Sequence, residues 1–235
     1  MKILIAGGSG GIGLALVKAC LDKFPEASVI ATHNKHQPDF FHEQLSWHLL
    51  DAINEGQVTS LAEEVGSIDW LINAVGFLHN KSGQPEKTIR KFDPDFFSES
   101  LQVNAMPSLL LAKHFQRNLK QSKHPMFATV SAKVGSISDN HLGGWYSYRA
   151  SKAALNMALK TLSIEWQRTM PKCCVASLHP GTTDTSLSKP FQSNVPDGKL
   201  FPPEKTAGLL LDVLQKLSSE QTGRFWSWDG SEIPW

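Results

Sequence analysis

"KILIAGGSGGIGLALVKACLDKF", residues 2–24, decides the reading of the fold. The run Lys2 to Ala6 is short and apolar, as in a buried strand. Glycines interrupt it after a handful of residues, too soon for the apolar core of a signal peptide. Residues 11–24 then read as a helix that Pro25 ends. Between them Gly7, Gly11 and Gly13 are spaced G-x-x-x-G-x-G. Glycine permits the tight turn from strand to helix. It also lets the backbone approach a pyrophosphate, which would rest on the positive N-terminal end of the helix. Gly7, Ser9, Gly11, Ile12 and Gly13 are therefore candidate dinucleotide contacts.

Outward from this unit, short apolar runs alternate with helical patterns. Strands are expected at 28–32, 47–50, 68–76, 125–132, 173–181 and 223–230, which with residues 2–6 makes seven. Helical periodicity marks 58–66, a long stretch over 94–120, then 145–169 and 203–217. Strand and helix alternating over the full length argue an α/β fold, a doubly wound, mainly parallel sheet with helices on both faces. No repeat or linker divides the chain, so residues 1–235 are expected to form one domain. Two stretches lack periodicity. Residues 77–93 carry charges that read as a solvated loop. Residues 186–202 follow a strand end, where ligands sit in such sheets, and are read as a substrate lid.

Composition excludes several classes. Net charge is +1, from 23 basic and 22 acidic residues, which gives no pull toward nucleic acid or an anionic membrane. No apolar run reaches the length of a membrane span. Three cysteines, two of them adjacent at 173 and 174, supply neither a disulfide framework nor metal spacing; buried free thiols in a reducing cytoplasm are expected. The histidines include no HExxH pair, and no metal is assigned.

Both tyrosines of the chain fall in "GGWYSYRASKAALN", residues 143–156. Tyr148 stands four residues before Lys152, so a helix places the two on one face. Tyr146 has Ala150 at the matching place and is left to packing or to lining a cleft. Arg149 should point off that face.

With the glycine turn and Tyr148–Lys152 in hand, the chain resembles the short-chain dehydrogenase/reductase family over essentially its full length, and within it the C-factor-like and carbonyl-reductase-like members. "AGGSGGIG" matches the family's TGxxxGIG, with Ala6 in place of threonine. The resemblance implies a Rossmann-type domain and assigns roles along the chain. Asp51 would contact the adenine amino group. "NAVG" stands for NNAG and brings Asn73, Ala74 and Gly76 to the cofactor. Asn104, from "VNA", would hold a proton-relay water. Tyr148 and Lys152 are the Y-x-x-x-K pair, with the lysine bridging the ribose hydroxyls. "PGTTDT" places Pro180, Gly181, Thr183 and Thr185 at the nicotinamide. One position departs from the pattern. The catalytic serine of ISSxxG aligns with Ala132 in "VSAKVG". Ser131 is the expected substitute, provided that the strand end twists or bulges, since neighbours on a strand face opposite ways. Ser136 is the second candidate.

The implied chemistry is hydride transfer between a nicotinamide and a carbonyl or alcohol. Tyr148 would be the general acid/base, with a phenol pKa lowered by the Lys152 cation. The end of the second strand, Thr32 to Lys35, holds no carboxylate to bind a ribose 2′-hydroxyl, and His33 and Lys35 could approach a 2′-phosphate. NADP(H) is expected ahead of NAD(H). A small, partly apolar carbonyl or alcohol is the expected substrate, in a homodimer or homotetramer. The alternative is a nucleotide-binding signalling or sensor protein of the C-factor type with little or no turnover. The aromatic-rich C-terminus, "FWSWDGSEIPW", reads as an edge strand.

Overall fold

The protein was studied as a computed structural model that describes every residue except Ser82 and, in its side chain, Asn194. Ser82 belongs to the loop expected over 77–93, and Asn194 to the stretch expected as a lid. These two parts of the expectations lie outside the described residues.

The strands are β1 Lys2–Ala6, β2 Ser28–His33, β3 Leu45–Leu49, β4 Trp70–Asn73, β5 Met126–Val130, β6 Cys174–His179, β7 Thr182–Thr183, β8 Leu200–Phe201, β9 Arg224–Ser227 and β10 Glu232–Ile233. The helices are α1 Gly11–Lys23, α2 Glu55–Val65, α3 Pro94–Asn104, α4 Met106–Leu119, α5 Tyr146–Thr169 and α6 Pro203–Lys216. Eight strands form one sheet in the order β10-β9-β6-β5-β4-β1-β2-β3. Seven of them run parallel; β10 folds back antiparallel on β9, pairing Ile233 with Phe225. The last long strand is thus not the edge, because two further residues cover it.

Successive residues of a strand face opposite ways, and here both ways are buried. Ile3 and Ile5 pack with α1 and α6 through Leu16, Cys20, Leu210 and Leu214. Leu4 and Ala6 pack on the other face with Leu61 of α2, Phe115 of α4 and Leu159 and Trp166 of α5. The three cysteines are free and buried. No helix among the described residues is long and apolar enough to cross a membrane.

The helical pattern over 94–120 breaks at Ala105 (φ −106°), and Pro107 stands in the first turn of the second helix. Proline has no N–H to give to a preceding turn, so one continuous helix would lose a hydrogen bond and clash there. The chain leaves β1 for α1 on one side of the sheet centre and leaves β4 for the other side. The crevice beyond the carboxyl ends of β1 and β4 is therefore the switch point at which such sheets bind ligands.

Candidate active site

At that crevice the chain turns from β1 into α1 with Gly7 at φ +76°, a left-handed conformation suited to glycine. The turn is held by the Thr32 hydroxyl, which accepts the Gly7 N–H at 3.0 Å, and by the Gly10 N–H donating to Gly7 O at 3.1 Å. The N-cap of α1 is Gly10, no side chain caps the helix, and its first turn holds no acidic residue. Its first N–H groups are thus free of side-chain acceptors and face the crevice, the arrangement that receives an anion.

A cleft of about 420 Å³ runs from this turn across the strand ends. Gly11, Ile12, Gly13, Ala74, Gly76, Ser131, Tyr148, Lys152, Pro180, Gly181, Thr183 and Thr185 all line it. So do Ser186, Leu187, Ser188, Phe191 and Val195 from the stretch expected as a lid. That stretch has structure of its own, a 3₁₀ turn over Lys189–Asn194 and strand β8, which pairs with β7 just ahead of it.

Tyr148 and Lys152 lie one turn apart on α5 and are 7 % and 3 % exposed. The Lys152 ammonium stands 5.9 Å from the centre of the Tyr148 ring and donates to Val130 O at 3.2 Å. Burial dominates both groups. It pushes the phenol above its ordinary value and pulls the ammonium down to about 8. The expected acidification of Tyr148 by Lys152 is therefore outweighed in the protein by desolvation. The Tyr148 hydroxyl makes no hydrogen bond among the described residues.

Several expected contacts are turned elsewhere. The Asn73 amide donates to the Ser108 hydroxyl at 2.9 Å and accepts the Val75 N–H at 3.0 Å, which leaves it fixing the β4 exit rather than facing the cleft. Asn104 accepts the Phe77 N–H and donates to Phe77 O, both at 2.8 Å, and donates to the Ser151 hydroxyl at 3.0 Å. Its side chain joins the β4–α3 loop to α5. The Thr183 hydroxyl pairs with Thr206 at 2.9 Å, away from the cleft. Asp51 and His33 lie outside the cleft wall, toward the ends of β3 and β2. Asp51 Oδ1 accepts the Ile53 N–H at 3.3 Å, and His33 Nδ1 is buried with no partner among the described residues.

Both candidate serine hydroxyls are engaged by partners within the protein. Ser131 donates its N–H to Leu178 O at 2.7 Å, which continues the β5–β6 ladder without a bulge, and its hydroxyl donates to Asn156 Oδ1 at 2.8 Å. The Ser136 hydroxyl donates to Pro234 O at 2.5 Å and accepts the Asp139 N–H at 3.1 Å. Ala132 also lines the cleft and brings only a methyl group.

Trp145 and His179 were not singled out in the sequence, and Phe191 only as one apolar residue of the lid stretch; all three line the cleft. The Trp145 ring meets Tyr148 at 6.0 Å and Phe191 at 5.1 Å between centroids, both edge to face. His179 Nδ1 accepts the Lys133 N–H at 3.2 Å, and burial, reinforced by the Lys133 charge, lowers its pKa to about 4. The folded state therefore binds fewer protons than the unfolded chain between pH 6.5 and 4. Stability should be complete above pH 6.5 and fall with acid across that window, by about 2 kcal/mol after allowance for solvent screening at this half-buried ring. Urea unfolding at pH 7 and pH 4.5 checks this, with His179→Asn expected to flatten the difference.

Tyr146 is 40 % exposed and stands off the cleft. Arg149 also leaves the face shared by Tyr148 and Lys152 and donates to Gly144 O at 3.1 Å.

The described geometry has counterparts among known proteins. Residues 1–196 match the family described as short chain dehydrogenase. The C-signal protein of Myxococcus xanthus is 34% identical over 139 residues, 59% of this chain and 78% of that protein. Carbonyl reductase Sniffer of D. melanogaster superposes with a TM-score of 0.87 at 25% identity, covering 100% of this chain and 99% of that one. The NADPH-bound carbonyl reductase from chicken fatty liver superposes at 0.86, with 25% identity and 100% and 94% coverage. A family match across most of the chain and a shared fold over all of it lead to one conclusion: the chain belongs to the short-chain dehydrogenase family.

Proposed function

We propose that the protein is an NADP(H)-dependent reductase of neutral, partly apolar carbonyl compounds, with Tyr148 as the proton donor. The observation that carries this reading is the Tyr148 hydroxyl, without a partner among the described residues, in one cleft with Lys152 and the uncapped start of α1. The residues present fit a dinucleotide. The first turn of α1 would take the pyrophosphate, Asp51 retains a carboxylate oxygen for the adenine amino group, and Lys152 would reach the ribose hydroxyls. Bound there, the nicotinamide supplies the hydride.

The chain's own residues do the rest. Buried Tyr148 keeps its proton at neutral pH and so meets a carbonyl oxygen as an acid. Lys152, with a pKa of about 8, is still charged at neutral pH and favours the phenolate left behind. Trp145, Phe191, Leu78, Leu187 and Val195 give the substrate end apolar walls. The nearby Lys133 cation is paired with Asp139 at 3.1 Å, which leaves little to select an anionic substrate.

The NADP(H) preference is supported by the absence of any carboxylate from Thr32 to Lys35 and by the buried, unpartnered His33 Nδ1. NADPH should bind at least about tenfold more tightly than NADH, the equivalent of one charge-assisted hydrogen bond. Fluorescence titration of both coenzymes decides it, and a tenfold preference for NADH would overturn this part. NADPH oxidation across a panel of aldehydes and ketones tests the activity. Intact dinucleotide binding without turnover would overturn the reductase reading in favour of the signalling alternative. Exposed Met106, Leu109, Met157 and Ile164 on α4 and α5 support self-association, and three buried thiols support a reducing cytoplasm.

A further inference from the structure

Glu86 is 3 % exposed, although it lies in the charged β4–α3 loop whose next five residues, 87–91, face solvent. A carboxylate is rarely buried unless its oxygens are satisfied. Here they are satisfied by α5, 61 residues further along. Glu86 Oε2 accepts the Ser147 N–H at 3.1 Å, Oε1 accepts the Ser147 hydroxyl, and the main-chain O of Glu86 accepts the Trp145 N–H at 2.5 Å.

Helix α5 needs such help. Its N-cap is Trp145, whose indole cannot accept a hydrogen bond. No side chain of its own caps it, and no acidic residue stands in its first turn. The approach to it is unusual as well. Gly143, Gly144 and Trp145 are left-handed in succession, with φ of 64°, 65° and 52°. For tryptophan that conformation is unfavourable and persists only where surrounding contacts hold it. Its result is the placement of the Trp145 ring in the cleft, edge-on to the Tyr148 ring.

We infer that Glu86 is a positioning residue for Tyr148: its buried carboxylate caps the catalytic helix from a distant loop, holding Trp145 left-handed and the phenol three residues later in register with the cleft. Glu86 touches neither Tyr148 nor the glycine turn and acts through Ser147 and Trp145. A negative charge at this end of α5 also complements the helix dipole. The kinetic consequence rests on the reductase reading, whereas the capping itself does not.

Three variants test this: Glu86→Ala, Glu86→Gln and Ser147→Ala. Glutamine keeps an acceptor for the Ser147 N–H, removes the charge, and reverses the bond to the Ser147 hydroxyl, which then accepts from the amide. With NADPH and nitrobenzaldehyde, Glu86→Ala should lower kcat about 30-fold, since small misplacements of a reacting group are costly. NADPH affinity should fall far less than kcat, because the glycine turn that would take the pyrophosphate lies between β1 and α1. Glu86→Gln should recover to within about fivefold of wild type, the scale of a lost helix-end charge. Amide hydrogen exchange over 143–149 gives a readout independent of turnover. It should quicken in Glu86→Ala, and less in Ser147→Ala, while α1 and the central strands keep their protection. If Glu86→Ala does not fold, Ser147→Ala and Glu86→Gln carry the same comparison. Unchanged exchange over 143–149, or a loss of protection spread evenly over the chain, would overturn the inference. A wild type that reduces no carbonyl would instead overturn the reductase reading and leave the exchange result standing.

Discussion

Tyr148→Phe should keep the fold and the dinucleotide and lose carbonyl reduction by about a thousandfold, the contribution of a positioned general acid. The substitution is a clean probe because of how the ring is held. Trp145 packs edge-on against it, the Lys152 ammonium stands 5.9 Å from its centre, and the hydroxyl has no partner among the described residues. Removing that hydroxyl deletes no protein hydrogen bond and keeps the ring volume, so stability should change by less than about 1.5 kcal/mol. No second hydroxyl at the strand end can take over, because Ala132 brings a methyl group and Ser131 is turned to Asn156. Steady-state rates beside a melting curve and an NADPH titration give the answer. A variant that retained a tenth of the wild-type rate would remove Tyr148 from the chemistry.

Gly13→Ala should damage both stability and dinucleotide binding, whereas Gly10→Ala, three residues earlier, should do neither. A Cβ at Gly13 would stand 2.1 Å from Gly7 O and 2.9 Å from Gly7 C, a collision between two main chains that no rotamer relieves. Helix α1 would have to lift off the β1 exit. Overpacking of this kind costs about 3 kcal/mol, or about 6–12 °C of melting temperature for a chain of this length. The displaced helix start would also carry its N–H groups away from the pyrophosphate position, and NADPH affinity should fall by more than about tenfold, one hydrogen bond's worth. At Gly10 the nearest atom to a Cβ is Gly7 O at 3.5 Å, an ordinary contact. Equal behaviour of the two variants would mean that the close approach at Gly13 has no bearing on the site.

The β1–turn–α1 unit was legible because strand, glycines and helix are adjacent in the chain and each follows local rules. The alternation of Ile3 and Ile5 against Leu4 and Ala6 likewise reads as burial on two faces once strands and helices alternate. Pro107 was a visible mark of the break between α3 and α4 that helical periodicity over 94–120 conceals. Ser131 lines the cleft just past the end of β5, but its N–H donates to Leu178 O and its hydroxyl to Asn156, a side-chain partner 25 residues away that strand alternation does not reveal. Other features had no local signature. Glu86 sits among Lys81, Lys87, Arg90 and Lys91 and resembles any solvated charge, since the helix end it caps lies 61 residues away. Trp145 could not be placed left-handed from sequence, because that conformation is unfavourable for it and is paid for by distant contacts. The same holds for Asn73 and Asn104, whose place in the motifs is clear but whose amides are claimed by Ser108 and Phe77.

The parallel sheet also bears on how the molecule comes into being. Ile3 at the centre has its first neighbour at Val29 but its second only at Trp70, and Met126 must then wait for Cys174. On a ribosome the middle of the sheet is thus made first and completed late, and a growing polypeptide exposes one open apolar strand after another until β9 emerges. Such topologies fold slowly and are prone to aggregate on the way. Yield in a foreign host should therefore depend more on the pace of synthesis and on chaperones than on the strength of the finished protein.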